Sequence, residues 1–295
     1  MISNLVPPPD LAEVCRRALK LPASPAILPQ LMAALHEAEG TADEIGRIVR
    51  LDSALAAATL RLANSAGFGA REPVDSIEQA IVMLGHREIY RLASQCVVSR
   101  WEQVHYARLP WEPGECFRHS LCTALAAEIL AEASGGCDPQ VAYMAGLVCD
   151  LGKLALAYTC AEHYPQVSAW AARHGGTWSD AETAVFGFHQ TEVGARLLRA
   201  WRFSESLARA VELQLHPAGA PAEFAPLAAH LHAARYLAVT LGPGVTEGGF
   251  LFNLDGDFLT TQGFTDELME QALIEVRERA LRRMAERLTH GMFQS

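Results

Sequence analysis

Side chains whose types bear on metal or hydrolytic chemistry include His119, the pair Cys149-Asp150, Lys153, His189 and His216. Neutral imidazoles and carboxylates bind divalent metals, and a metal so held activates water and steadies phosphate charge. Cysteine joins such a set only as a thiolate. Arginine brings a fixed cation that repels a metal. The sharpest stretch is Ala145-Gly-Leu-Val-Cys-Asp-Leu-Gly-Lys-Leu-Ala155, a small-residue helix running into an aspartate that glycine and lysine follow.

Each of these residues also has a plainer reading. His189 and His216 suit ordinary hydrogen-bonded helix positions. Cys149 in an apolar helix reads as a small core residue, and Lys153 as a cap on the end of its helix. His230 and His232, two positions apart, cannot share a helical face, which argues against a joint ligand role. Arg196, Arg199, Arg202 and Arg209 form a cationic strip over two adjacent helices, read first as a solvated face.

The elements that must position these residues are helical. Thr41-Ala-Asp-Glu44 and Ser179-Asp-Ala-Glu182 read as capping boxes, where hydroxyl and carboxylate satisfy the orphan amides of a helix start. Asp52 caps a helix on which Leu55, Thr59 and Leu62 recur at helical spacing. Asp75-Ser-Ile-Glu78 opens another helix, with Gly85 as its stop. A long Ala-rich helix begins near Gly114 and ends at Ser134-Gly-Gly136, and Asp138-Pro139 restarts the chain with a cap and an N1 proline. Only Gly248 to Leu259 suggests a short hairpin. A final helix is expected over about Thr265 to Leu288, with Asp266 and Glu267 in its first turn and Arg279, Arg282 and Arg283 later.

Composition narrows the class. Half of the 295 residues are hydrophobic, and the mean hydropathy of +0.09 supports a sizeable core without disulfides. The seven cysteines are scattered, odd in number and never spaced CxxC, a pattern of reduced thiols in a cytoplasmic protein. Net charge is −10, against the cationic surface that non-specific nucleic-acid binding needs. No apolar run approaches the ~20 residues of a membrane span, and the opening Met-Ile-Ser-Asn-Leu-Val lacks a signal peptide's basic flank, so no membrane insertion is expected.

Taken in order, these pieces resemble the HDOD (HD-related output domain) family, which is similar to the HD-GYP cyclic-dinucleotide phosphodiesterases. The resemblance rests on Leu21-Pro22 with Pro25, Ile48-Val-Arg-Leu-Asp52-Ser-Ala-Leu55, Leu62-Ala-Asn-Ser65, Ser76-Ile-Glu-Gln-Ala-Ile81 and Leu84-Gly85. It continues through Arg118-His-Ser120, Ala145-Gly-Leu147, Asp150-Leu-Gly-Lys153, His189-Gln-Thr-Glu-Val-Gly-Ala195 and Trp201 with Leu207. It implies an all-α, two-lobed domain over 18–240. The N-terminal lobe covers about 18–105, an HD-like helical bundle covers 106–240, and a C-terminal extension over 241–295 ends in a helix. The lobes divide near Trp101–Pro113, where Pro110, Trp111 and Pro113 interrupt the helical pattern.

The departures from the family pattern carry the functional expectation. An active HD protein reads His-Asp where this chain reads Cys149-Asp150. The family often reads His-His before proline, where this chain has Leu215-His216-Pro217, and a metal-binding relative has Asp at the place of Arg235 in His232-Ala-Ala-Arg235. The resemblance therefore implies a vestigial pocket of His119, Cys149, Asp150, Lys153, His189, His216 and Arg235, with no metal, no cofactor and no catalytic residue. In it Arg235 takes over the metal's electrostatic role and neutralises Asp150, because a buried carboxylate without a counter-charge is costly. The expected function is a non-catalytic regulatory module of bacterial signal transduction. Its partners would be signalling proteins such as cyclic-dinucleotide enzymes, kinases or chemotaxis components. One alternative is a sensor that binds cyclic di-GMP or another nucleotide in the pocket, since in the phosphodiesterase relatives the matching lysine faces phosphate. A further alternative is an active phosphohydrolase using Cys149 and the remaining histidines.

Overall fold

The computed structural model describes residues 10–20, 27–36, 41–65, 68, 73–103, 114–242 and 252–290, the side chains of 35–36, 101–103 and 280–290 excepted. Leu21-Pro22, Pro25, residues 104–113 and residues 243–251 lie outside these, as do the side chains of Arg282 and Arg283. The described residues form helices joined by turns, with no strand among them. The chain falls into two compact units, Met1–Pro22 with Trp101–Arg277, and Ala23–Arg100 with Glu278–Ser295.

The second unit holds α2 (Ile27–His36), α3 (Ala42–Arg50), α4 (Ser53–Ala63) and most of α5 (Ile77–Gln103). Its core includes Leu28, Leu31, Ile45, Val49 and Leu55. The starts of its helices follow local chemistry. Thr41 Oγ1 accepts from Glu44 N at 3.2 Å, and Asp52 Oδ1 accepts from Ala54 N and Leu55 N at 3.0 and 2.9 Å. Ser76, rather than Asp75, caps α5, accepting from Gln79 N at 3.1 Å. Gly85 breaks that helix without ending it: its φ of 76° and ψ of 161° are non-helical, and helix resumes on the far side. The Asn64 amide accepts from Val74 N at 2.7 Å and donates to Val74 O at 2.8 Å, closing the loop between α4 and α5.

The first unit is built around α6 (Glu115–Ser134), which has no distinct polar face and is buried along most of its length. A helix with no polar face needs neighbours all round. They include α7 (Pro139–Val148) and α13 (Ala225–Leu241). Glycine sets how closely α7 approaches, since a Cβ at Gly146 would lie 2.6 Å from Ala124 Cα. The chain turns at Cys149-Asp150 into α8 (Leu151–Thr159), which packs on α11 (Gln190–Ala200). A Cβ at Gly152 would lie 1.8 Å from Gln190 O, so the two backbones touch there. Around this core stand α1 (Leu11–Ala18), α9 (Tyr164–His174), α10 (Trp178–Phe186), α12 (Glu205–Leu213), α14 (Gly256–Thr261) and the start of α15 (Asp266–His290).

Two sequence expectations are corrected. Phe252 to Leu259 forms no hairpin arm: Asp255 accepts from Phe258 N at 3.0 Å and starts α14. The capping box of α10 is Thr177 with Asp180, not Ser179 with Glu182, so Glu182 lies inside the helix and is fully buried. The arginine strip lies at the surface, with Arg196 and Arg202 exposed and Arg199 and Arg209 partly so, and two of its members are ion-paired. Arg199 pairs with Glu205 and Glu212, each at 2.8 Å, and Arg209 pairs with the same two at 3.0 Å. One segment, Pro139–Thr159, has the length and hydropathy of a membrane span, although no uninterrupted apolar run of that length was expected. Of its apolar window, 83% is buried inside the protein, as befits the central layer of a helical core.

Candidate functional site

The turn between α7 and α8 delivers Cys149 and Asp150 into the interior of the first unit, both buried. Arg235 reaches them from the middle of α13, and Gln214 from the end of α12. Arg235 Nη1 donates to Asp150 Oδ1 at 2.8 Å, to Gln214 Oε1 at 2.9 Å and to Cys149 Sγ at 3.2 Å. Gln214 is fixed in turn, because its Nε2 donates to Cys149 O at 3.0 Å and to Val211 O at 2.9 Å. His119, on α6, places Nε2 3.7 Å from Asp150 Oδ2.

Electrostatics follow from this packing. Burial alone would raise the Asp150 carboxyl, but Arg235, His119 and Lys153 outweigh it and hold the group well below the usual carboxylate range. Burial, reinforced by the neighbouring Asp150 charge, pushes the Cys149 thiol up to about 12 despite Arg235. A thiol in that state is neutral at ordinary pH, a poor nucleophile and a poor metal ligand. Arg235 is held protonated by Asp150 against the cost of its own burial.

The other expected residues divide. Lys153 lies in the first turn of α8 rather than at a helix end, so the end-cap reading is corrected, and its charge acts on Asp150, Cys149 and Glu182. His189 is the residue before α11 and bonds Thr191 Oγ1 at 2.9 Å through Nδ1. His216 is exposed at the turn ahead of Pro217. Neither bonds to Asp150 or Arg235. His230 and His232 face different neighbours. His230 bonds Ser134 Oγ and Pro226 O, each at 2.6 Å. His232 Nδ1 donates to Gln214 O at 2.8 Å, and its Nε2 accepts from Asp255 N at 2.9 Å. Both His232 nitrogens are spent on backbone, which fixes the neutral tautomer and leaves no lone pair for a metal.

Three residues of this centre escaped the sequence reading. Gln214 carried no signal beyond its neighbours. Gln190, one position past His189, is buried, and its Oε1 has no hydrogen-bond partner. Glu182 accepts from Gln190 N at 2.8 Å through Oε2, and the Trp178 side chain also acts on its carboxylate. Burial raises the Glu182 carboxyl to about 7, against the Gln190 amide and the Lys153 charge that lower it.

This donor set does not fit a divalent cation. Among the described residues no three His, Cys, Asp or Glu side chains stand where they could hold one. Asp150 Oδ1 meets the Arg235 guanidinium at 2.8 Å, a fixed cation where a metal would need a free carboxylate.

Compared with known families, residues 21–217 match the HDOD domain. The chain belongs to the HDOD family. Solved structures with this fold include an HDOD domain protein of unknown function from Geobacter sulfurreducens (22% identity, TM-score 0.72, 91% of this chain and 96% of that one). Another, from Shewanella amazonensis SB2B, is provisionally named a phosphohydrolase (22% identity, TM-score 0.64, 95% of this chain and 96% of that one). A third, from Marinobacter aquaeolei VT8, is provisionally named a signal transduction protein (22% identity, TM-score 0.73, 96% of this chain and 64% of that one). No curated protein matches the chain. At these identities the likeness establishes the HDOD fold, in which the Asp150–Arg235 pair occupies the core of the first unit.

Proposed function

We propose that this HDOD protein is a non-catalytic regulatory module of bacterial signal transduction that acts through protein partners. The observation that carries the reading is the Arg235 guanidinium, 2.8 Å from Asp150 and 3.2 Å from the Cys149 thiol. Metal-assisted phosphoester hydrolysis needs a metal-bound water next to the scissile phosphate. A fixed cation on the carboxylate provides charge balance and no water activation. The signal transduction name given to the Marinobacter relative is in keeping with this role.

Two measurements test the proposal. Protein purified without chelators is expected to carry far less than about one metal per chain. It is also expected to hydrolyse cyclic dinucleotides with added manganese no faster than its Asp150→Asn variant. About one tightly bound metal, or turnover that Asp150→Asn abolishes, would overturn it. Affinity capture from the native host is expected to return signalling proteins such as cyclic-dinucleotide enzymes, kinases or chemotaxis components.

A second reading, a nucleotide sensor, is favoured by Lys153, whose charge acts on the same centre. Calorimetry with cyclic di-GMP separates the two readings: binding heat supports the sensor, and its absence leaves the protein-binding module.

A further inference from the structure

Arg235 spends its hydrogen bonds unevenly. All three of its bonds come from Nη1, to Asp150, Gln214 and Cys149. Its Nε is buried with no hydrogen-bond partner. Its Nη2 makes no bond among the described residues. In a planar guanidinium the Nε–H and Nη2–H bonds point the same way, and together they form a fork that matches two oxygens of a carboxylate or phosphoryl group. The edge of Arg235 built for bidentate recognition is therefore the edge left without a hydrogen-bond partner.

Three further features suit that edge to a ligand. Arg235 Nη1 is held by both Asp150 and Gln214, and Gln214 is itself pinned by two backbone carbonyls. An edge so fixed loses little freedom on binding. The side chain is 11% exposed, so the centre is nearly dry yet not sealed. Lys153 adds a second cation, whose field reaches Asp150 and Glu182. A buried donor without a partner is unfavourable, and an anion would satisfy two donors at once.

We propose that the Nε–Nη2 edge of Arg235 is a recognition site for a small oxyanion, the carboxylate or phosphoryl group of a ligand entering the first unit. This rests on the reading above, in which Arg235 rather than a metal holds the site.

The test follows the Nε–H resonance of Arg235 in the full chain by nitrogen-edited NMR, assigned by its loss in Arg235→Lys. Sodium acetate and inorganic phosphate are the two probes, at constant ionic strength set with chloride. The expected result is a saturable shift with half-saturation at about 1 mM or below for at least one probe. Acetate alone assigns a carboxylate ligand, phosphate alone a phosphoryl ligand, and both the shared oxyanion chemistry. Calorimetry on Arg235→Lys, which keeps the charge but not the fork, is expected to show about tenfold weaker binding or worse. Should that variant fail to fold, calorimetry of the wild type with the same two anions decides, and no binding heat up to about 50 mM overturns the proposal. No saturable shift with either anion up to about 50 mM overturns the proposal. Metal analysis of the same sample separates the two failures. A metal-free protein that ignores both anions refutes only the oxyanion site, whereas a metal-loaded one refutes the reading beneath it.

Discussion

Each unit of this chain sets an aspartate against an arginine, and the two pairs are built differently. In the second unit Asp52 caps α4 and meets both terminal nitrogens of Arg100, with Nη2 2.6 Å from Oδ1. The two side chains are 19% and 30% exposed, and every oxygen and fork nitrogen in contact is matched. In the first unit Asp150 and Arg235 are 3% and 11% exposed, and a single nitrogen, Nη1, serves the carboxylate, an amide and a thiol. The first arrangement is a staple that fastens a helix start. The second leaves donors over in a place where leftover donors are costly, and such residues mark sites rather than scaffolding.

The comparison breaks most sharply if the buried arginine is removed. Arg235→Met strands a buried carboxylate and is expected to cost about 3–5 kcal/mol in urea unfolding. Adding Asp150→Asn should restore much of that loss, because the two residues couple. An additive double variant would show that they do not act as a pair.

The surroundings of the two pairs differ as well. Glu182 lies buried near the first, with its carboxyl raised from 4.5 to about 7. A raised carboxyl favours the protonated folded state, so its contribution is full below pH ~4.5 and is lost as pH climbs through about 7. Chemical denaturation from pH 4.5 to 8 should show a decline on the order of 3 kcal/mol, which Glu182→Gln flattens. Asp150 runs in the opposite sense. Its depressed carboxyl contributes stability above its ordinary value of 3.8, lost as pH falls further.

Position can be disturbed without touching either charge. Gly152→Ala drives a methyl into the Gln190 carbonyl and should cost about 1–3 kcal/mol or more by separating α8 from α11. Unfolding in urea measures it, and a neutral result would mean that the backbone contact is not what seats Asp150. The smallest effect is expected in the staple. Asp52→Ala loses a cap and a partly exposed ion pair, about 1–2 kcal/mol by the same assay. A loss equal to that of Arg235→Met would erase the distinction between the pairs.

Much of the fold is legible in the sequence because helix starts are local. Thr41, Asp52 and Asp138 each bond the amides that their spacing predicts. Glu182 shows where this ends. Thr177 with Asp180 and Ser179 with Glu182 satisfy the same spacing, and only the core that receives Glu182 selects between them. His189 and Gln190 differ by a single step at the start of α11, and that step turns one toward Thr191 and buries the other. The hairpin expected before Leu259 failed because Asp255 supplies a cap that a period-two reading does not weigh. Arg235 was legible as a substitution, but the uneven use of its nitrogens is a property of three helices meeting and has no trace in the residue order.

The Cys149 thiol, shut away and kept neutral against Arg235, is also a clock. Alkylation requires a solvent-reachable thiolate, so this sulfur reacts only when α7, α12 and α13 part. Its labelling rate in native buffer then counts how often the centre breathes, and a ligand that holds the helices together would slow it without any change in the chemistry of the sulfur.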